Sequence, residues 1–392
     1  MNNMKNDFSK IKIDKSKLKL VSNRIEESEE ISGVSLGYWK DSFRRLLHNK
    51  IATISLILIG FIFIFSIFIT STTPHSTVIE PQIKDPDTGQ MISKKSLTSV
   101  PPRIKGLEWL GWFDGRVDKL LPKIALENEV KYPKDTYEIV ECEEGNTGKE
   151  MCTIDLDVYK QNGIEQLYFT FGTDQLARDN WTRVWAGVRN SLAIGLLAAV
   201  FDIVMGVIYG SICGFYGGTK VDNIMMRFIE IYGSIPSIVL LILLLSFMDR
   251  GFGALIIALG LTGWIGVARM VRAQYLRYRE HDFVLASRTI GASTKRLIFK
   301  HIFPNIIGQI VILATFSIPA AIFYEASLSF IGLGLPTDQA SLGTLINNGI
   351  TQRSVSAYLL WIPTIVLSIV MLAINLLANG LRDALDPRLR GR

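Results

Sequence analysis

REHDFVLASRTIGASTKRLIFKHIFPN, residues 279–305, is polar and basic, yet it lies between stretches apolar enough to cross a membrane. It reads as a short helix, a hinge at Gly291 and a second short helix that Pro304 stops. Phe283, Ala286 and Ile290 share one helical face, and Leu297, Ile298 and Ile302 continue an apolar stripe beyond the hinge. Arg288, Lys295, Arg296 and Lys300 are the polar counterpart, and the small Ala292 and Ser293 help the backbone turn after Gly291. An elbow continuous with membrane helices suits the transfer of movement into them. The same pattern suits an interfacial helix pair that only anchors a bundle, and the residues by themselves leave both readings open.

Working outward from this stretch, the chain of 392 residues is 48% hydrophobic, with a mean hydropathy of +0.28. That balance fits a membrane protein with a sizeable aqueous part. Apolar spans are read at about 306–331, holding Pro319 and Glu325, and at 358–377, interrupted by Pro363. Toward the N-terminus they are read at 252–271, at 228–248 with a kink at Pro236, at 191–215, and at 51–70. Six spans put both termini and the 279–305 element on the cytoplasmic side, and the Lys and Arg of the short loops follow the positive-inside bias. The net charge of +6 is therefore read as membrane topology, not as nucleic-acid binding. Gly206, Gly210 and Gly214 step through one span at intervals that let helices approach closely. Glu325 is a candidate intramembrane acid; the reading favoured here is a residue at the aqueous boundary, paired or hydrated.

The remaining segments are polar. Residues 1–34 read as a cytoplasmic tail and not a signal peptide, and 36–50 either as an interfacial helix with Trp39 at headgroup level or as an ordinary juxtamembrane linker. The segment 71–189 is too long for an ordinary connection and by alternation lies outside. Within it, TYEIVECEEGNTGKEMCTIDLDVY (136–159) alternates on both sides of a turn, as a β-hairpin does. Cys142 and Cys152 are symmetric about Thr147, so a disulfide across the strands is the favoured reading and two free thiols the alternative. PPRIKGLEWLGWFDG (101–115) is expected to form the core of this insertion, and 171–189 an amphipathic helix at the outer face. Cys213 reads as a packing residue. No zinc-type spacing, no phosphate-binding GxxxxGK[ST] loop and no triad around His48, His75, His281 or His301 is found, so no catalytic residue and no metal site is expected.

The 279–305 stretch resembles the EAA loop of bacterial ABC-importer permeases: Glu-Ala-Ala, three residues, Gly, nine residues, then Ile-x-Leu-Pro. Leu285, Ala286, Ser287, Gly291, His301 and Pro304 hold those places, with Leu285 where the Glu stands and Ser287 for the second Ala. Asp282 and Glu280 are the acids nearby. FGTDQLARDNWTRVWAGVRNSL (171–192), GFYGGTKVDNIMMR (214–227), ASLSFIGLG (326–334) and NLLANGLRDALDPR (375–388) are similar to further motifs of the "C" permease of dipeptide and oligopeptide importers. The resemblance covers roughly 36–70 and 171–390.

It implies an all-α membrane protein, six transmembrane helices of the ABC importer type I permease fold; the β-containing extracytoplasmic insertion between helices 1 and 2 is read from the segment's length and alternation and is not explained by the resemblance. The divisions would be 1–50 (tail and interfacial helix), 51–70 (helix 1), 71–189 (insertion), 190–380 (helices 2–6) and 381–392 (cytoplasmic tail). It further implies a multi-pass protein of the bacterial plasma membrane with these partners: a second permease, two cytoplasmic ABC ATPases, an extracytoplasmic peptide-binding protein and membrane lipid. ATP and Mg would sit on the ATPases, with no cofactor on this chain. The elbow, with Asp282, Leu285–Ser287, Gly291, Ala292, Ser293, His301 and Pro304, would couple to the ATPases. A nickel-chelate importer and a non-transporting receptor are the alternatives.

Overall fold

The computed structural model describes residues 38–72, 92–128, 131–144, 150–336, 339–353 and 356–385. The chain divides into two units, 1–44 and 45–392. Tyr38–His48 (α1) is helical, and Asn49 then caps the next helix by accepting from the Ala52 N–H. Lys50–Thr72 (α2) is apolar on every side, as a lipid-facing helix must be.

The bundle continues with Asn180–Phe215 (α3), Lys220–Gly233 (α4), Ser237–Ser246 (α5), Phe252–Tyr278 (α6) and Asp282–Thr289 (α7). A long helix, Thr294–Phe330 (α8), then Leu342–Thr351 (α9) and Tyr358–Leu385 (α10) complete it. Among the described residues, α2, α3, α6, α8 and α10 are long and apolar enough to span a membrane, and α4 with α5 makes a sixth span if the pair is counted as one. That pair is bent by 85°, far more than the kink expected at Pro236. α4 ends at Gly233, and Ile235, which precedes the proline, lies outside both helices, so the chain turns rather than bends.

Three other expectations are corrected. No separate amphipathic helix precedes the second apolar run: Asp179 accepts from the Thr182 N–H, and α3 continues unbroken to Phe215 because nothing in 180–191 interrupts it. The loop expected at 332–357 contains α9, started by a Ser341/Thr344 capping box and held by Leu342 and Leu345 against Val184, Val188 and Ile322. Pro363 does not interrupt α10.

The centre of the bundle is α3 against α6. A Cβ on Gly206, Gly210 or Gly214 would lie 2.5 Å from Val267, the Ala268 carbonyl or Tyr275 respectively. The four-residue glycine step thus brings two backbones into contact. Gly380 of α10 does the same against Ala52 of α2.

Between α2 and α3 lies an antiparallel sheet of Arg116–Pro122 (β1), Tyr137–Glu144 (β2) and Glu150–Asp157 (β3), in the order β1-β3-β2. Cys142 and Cys152 are register partners across β2 and β3, 4.0 Å apart at Cα, and are joined as a disulfide. The turn about Thr147 lies outside the described residues. The core of this segment is not the Trp-rich stretch: Trp109 and Trp112 are 78% and 84% exposed. Gly106, Gly111 and Gly115 all take positive φ there, so the chain winds through turns too tight to present one buried face. The core is instead Cys152, Ile154, Leu156 and Tyr132 under the sheet, with Leu97, Val100, Tyr159 and Phe169 beside it. Tyr159 donates to the Pro101 carbonyl, and burial holds its hydroxyl well above the usual tyrosine range, which keeps it a donor.

Candidate functional site

The 279–305 element leaves α6 at Tyr278, where His281 stacks on the Tyr278 ring and starts α7. Of α7, only Val284 is buried, in a cluster with Val271, Tyr275, Leu297, Ile298, Ile302 and Ile306. The expected continuous stripe is therefore split. Leu297, Ile298 and Ile302 point into the bundle, whereas Phe283, Ala286 and Ile290 point away from it, Ile290 being 87% exposed. Leu285 and Phe299 are also exposed, so the outward surface of the elbow carries apolar side chains that the described residues leave uncovered.

Gly291 takes φ +87°, and open space surrounds the position a Cβ would occupy. The glycine serves the turn's dihedral, not close packing. Asp282 lies exposed in the first turn of α7, Ser287 hydrogen-bonds back to the Phe283 carbonyl, and Ala292 is half-buried beside exposed Ser293. His301 and Pro304 sit inside α8, not at the end of a short helix. Leu297–Ile302 adopts π-helical pairing just before the proline, which accommodates its missing N–H and lets the helix run on to Phe330.

Three ties fix the elbow to the bundle. The Tyr275 hydroxyl donates to the Ile298 carbonyl at 3.1 Å, and Arg279 donates to the Gly217 carbonyl at 2.7 Å. The Arg288 guanidinium lies 5.7 Å over the Phe215 ring. Behind them, buried Asp222 receives a bidentate pair from Arg272, both contacts at 2.7 Å, and accepts from the Gly218 N–H and the Cys213 thiol. In the sequence Asp222 is the acid of the 214–227 motif, with no role assigned to it. Its signal was an acid one turn into a helix after a Gly-Gly pair, with an arginine two spans' ends away.

At the other end of α3 a second polar cluster is buried. Asp174 takes ion pairs from Arg178, at 2.7 Å, and from Arg183. The Tyr358 hydroxyl at the start of α10 donates toward the Val100 and Thr173 carbonyls, tying the insertion to the last helix.

Two buried acids lie within the long apolar helices α3 and α8. Glu325 is paired within the bundle: it is 0% exposed and accepts from Ser191 at 3.2 Å, Ser329 at 2.8 Å and Ser341 at 2.6 Å. Asp202, in the middle of α3, was missed, although a lone acid in an apolar run is itself a signal.

Comparison with known proteins now bears on this geometry. Residues 206–391 match a family described as the binding-protein-dependent transport system inner membrane component, and 37–89 match the N-terminal TM domain of oligopeptide transport permease C. A dipeptide transport system permease protein of Lactococcus lactis subsp. cremoris is 37% identical over 390 residues, 99% of either chain. This chain belongs to that family of membrane permeases. Such permeases are non-catalytic subunits of ABC importers, working in general with a second permease, a binding protein and separate ATPases that hydrolyse ATP. Among other relatives of the permease, a Bacillus subtilis dipeptide transport permease is 35% identical over 93% of this chain and 90% of that one. The oligopeptide transport permease of the same organism is 47% identical over 56% of this chain and 72% of that one.

Proposed function

We propose that this chain is the C-type permease of an ATP-driven dipeptide or oligopeptide importer of the type I fold. It forms the translocation path with a second permease and is driven through residues 279–305 by two cytoplasmic ATPases. The observation that carries the coupling role is the apolar outward surface of the elbow, Phe283, Leu285, Ile290 and Phe299, on a hinge tied into α3, α6 and α8. An apolar surface at the end of a bundle gains stability when a partner covers it. Because α8 is continuous from Thr294 to Phe330, a push on the elbow tilts the whole helix.

Both termini and the elbow lie in the cytoplasm, and the β-sheet insertion faces outward, where an oxidising exterior suits the Cys142–Cys152 bridge. There it helps to seat the binding protein. ATP and Mg are held by the ATPases alone. ATP closes the ATPase pair, and the permease answers through contacts that differ between its two states. The test is reconstitution with the partner subunits: ATP-dependent accumulation of labelled peptide is expected, and accumulation of nickel without peptide would overturn the substrate reading.

A further inference from the structure

Neither the elbow network nor the helix packing explains Asp202. It lies roughly 17 and 20 Å along α3 from Ser191 and Phe215, at about 1.5 Å per residue, which is the middle of a span. The residue is 5% exposed, and its Oδ1 is buried without a hydrogen-bond partner. An isolated carboxylate at that depth is costly unless something binds it.

It lines a cavity of about 270 Å³ together with Ser237, Thr262, Ser317 and Tyr324, and no Lys or Arg is among the described lining residues. The surroundings are made for it. A Cβ on Gly263 would lie within 2.5 Å of the Asp202 carboxylate, so α6 leaves the space empty for that group. Thr262 commits its hydroxyl proton to the Leu259 carbonyl at 2.8 Å, and Ser317 to the Leu313 carbonyl at 3.2 Å. Both oxygens therefore offer lone pairs only. Ser237 is the first residue after the 85° break between α4 and α5, and irregular backbone at membrane depth is tolerated where it lines a cavity. The Ser237 and Tyr324 hydroxyls complete the polar lining, and a carboxylate there with no Lys or Arg among the described lining residues is complementary to a positively charged donor.

We propose that this cavity accepts an ammonium group in transit, its charge met by Asp202 and its N–H groups by the Thr262 and Ser317 oxygens. The proposal rests on the peptide-importer reading, because a peptide brings ammonium groups at its N-terminus and on lysine side chains.

The first test does not depend on the substrate. In permeabilised membranes carrying the intact transporter, Ser317→Cys is treated with aminoethyl (cationic) or sulfonatoethyl (anionic) methanethiosulfonate. The cationic reagent is expected to react at least about tenfold faster after correction for intrinsic reactivity. That preference should vanish in the Asp202→Asn background and persist in Asp202→Glu. Equal rates beside the native Asp202, or a preference that survives Asp202→Asn, would overturn the proposal. Thr262→Cys gives a second position with the same expectation.

The second test identifies the source of the ammonium through ATP-driven uptake of three peptides: one with a free N-terminus and no lysine, one N-acetylated with a lysine, and one N-acetylated without. Asp202→Asn should lower uptake of an ammonium-bearing peptide about tenfold more than uptake of the neutral one. Loss confined to the first peptide assigns the terminal amine, and loss confined to the second assigns lysine. An equal effect on all three overturns the proposal. If the unmodified transporter moves no peptide, the peptide reading fails, and the thiol preference still reports whether the cavity favours cations.

Discussion

At Gly291 the backbone sits at φ +87° with nothing near the missing Cβ, so a side chain there would meet strain and no clash. An L-residue in that conformation costs about 1–2 kcal/mol, and Asn suffers least. Recovery of ATPase on a tagged permease should therefore fall in the order Gly, Gly291→Asn, Gly291→Val; equal recovery with Val would remove the hinge from the account. Glu325 is argued the same way. Its carboxylate is the common acceptor of three serine hydroxyls from α3, α8 and the start of α9. Glu325→Ala strands those donors at a cost of about 1–3 kcal/mol. The melting temperature in detergent should drop, with Glu325→Gln in between, and an unchanged value for Ala would contradict the role. Gly291 was legible because only a turn between two amphipathic stretches calls for glycine there. The serines around Glu325 were not, since Ser191 and Ser341 are brought to it by tertiary packing that no local pattern announces.

Among the elements, the α3–α6 pair and the turn between α3 and α4 hold the elbow in place. Asp222 is almost fully buried, and Arg272 is its charge partner. Removing one member of such a pair costs about 3 kcal/mol or more, because the other is left uncompensated. Asp222→Ala should destabilise the permease and loosen Tyr275 and Arg279 with it, lowering uptake at saturating peptide; thermal unfolding and transport assays read both. Wild-type stability and uptake would show that the pair is incidental. The glycine steps of α3 announced this interface, because small residues every four positions serve one purpose in lipid. At the break between α4 and α5 the sequence suggests a kink, because proline alone does not distinguish a bend from a turn; the 85° angle shows a turn. In the same way, Pro304 was given too much weight. A π-helical turn absorbs it, and hydrogen-bond register is invisible in residue order.

For the whole molecule, the helical bundle was readable from hydropathy, while the insertion was readable only in part. The hairpin of β2 and β3 follows from alternation about a Gly-rich turn. Strand β1, RVDKLLP, alternates poorly and ends in proline, and it is placed by pairing with β3. The stretch 101–115 is expected to form the core, but its turns leave Trp109 and Trp112 outside. If the sheet seats a binding protein, replacing residues 116–157 with a short Gly/Ser linker should weaken uptake at low peptide while the ATPases stay bound; unchanged uptake would contradict it. The central claim is that the elbow is gripped from the cytoplasm. Ile290→Cys treated with a membrane-impermeant maleimide tests this most directly. No labelling of intact cells is predicted, with strong labelling of inside-out vesicles stripped of ATPase and protection when the ATPase is restored. Labelling from outside, or equal labelling with and without the ATPase, would contradict the account.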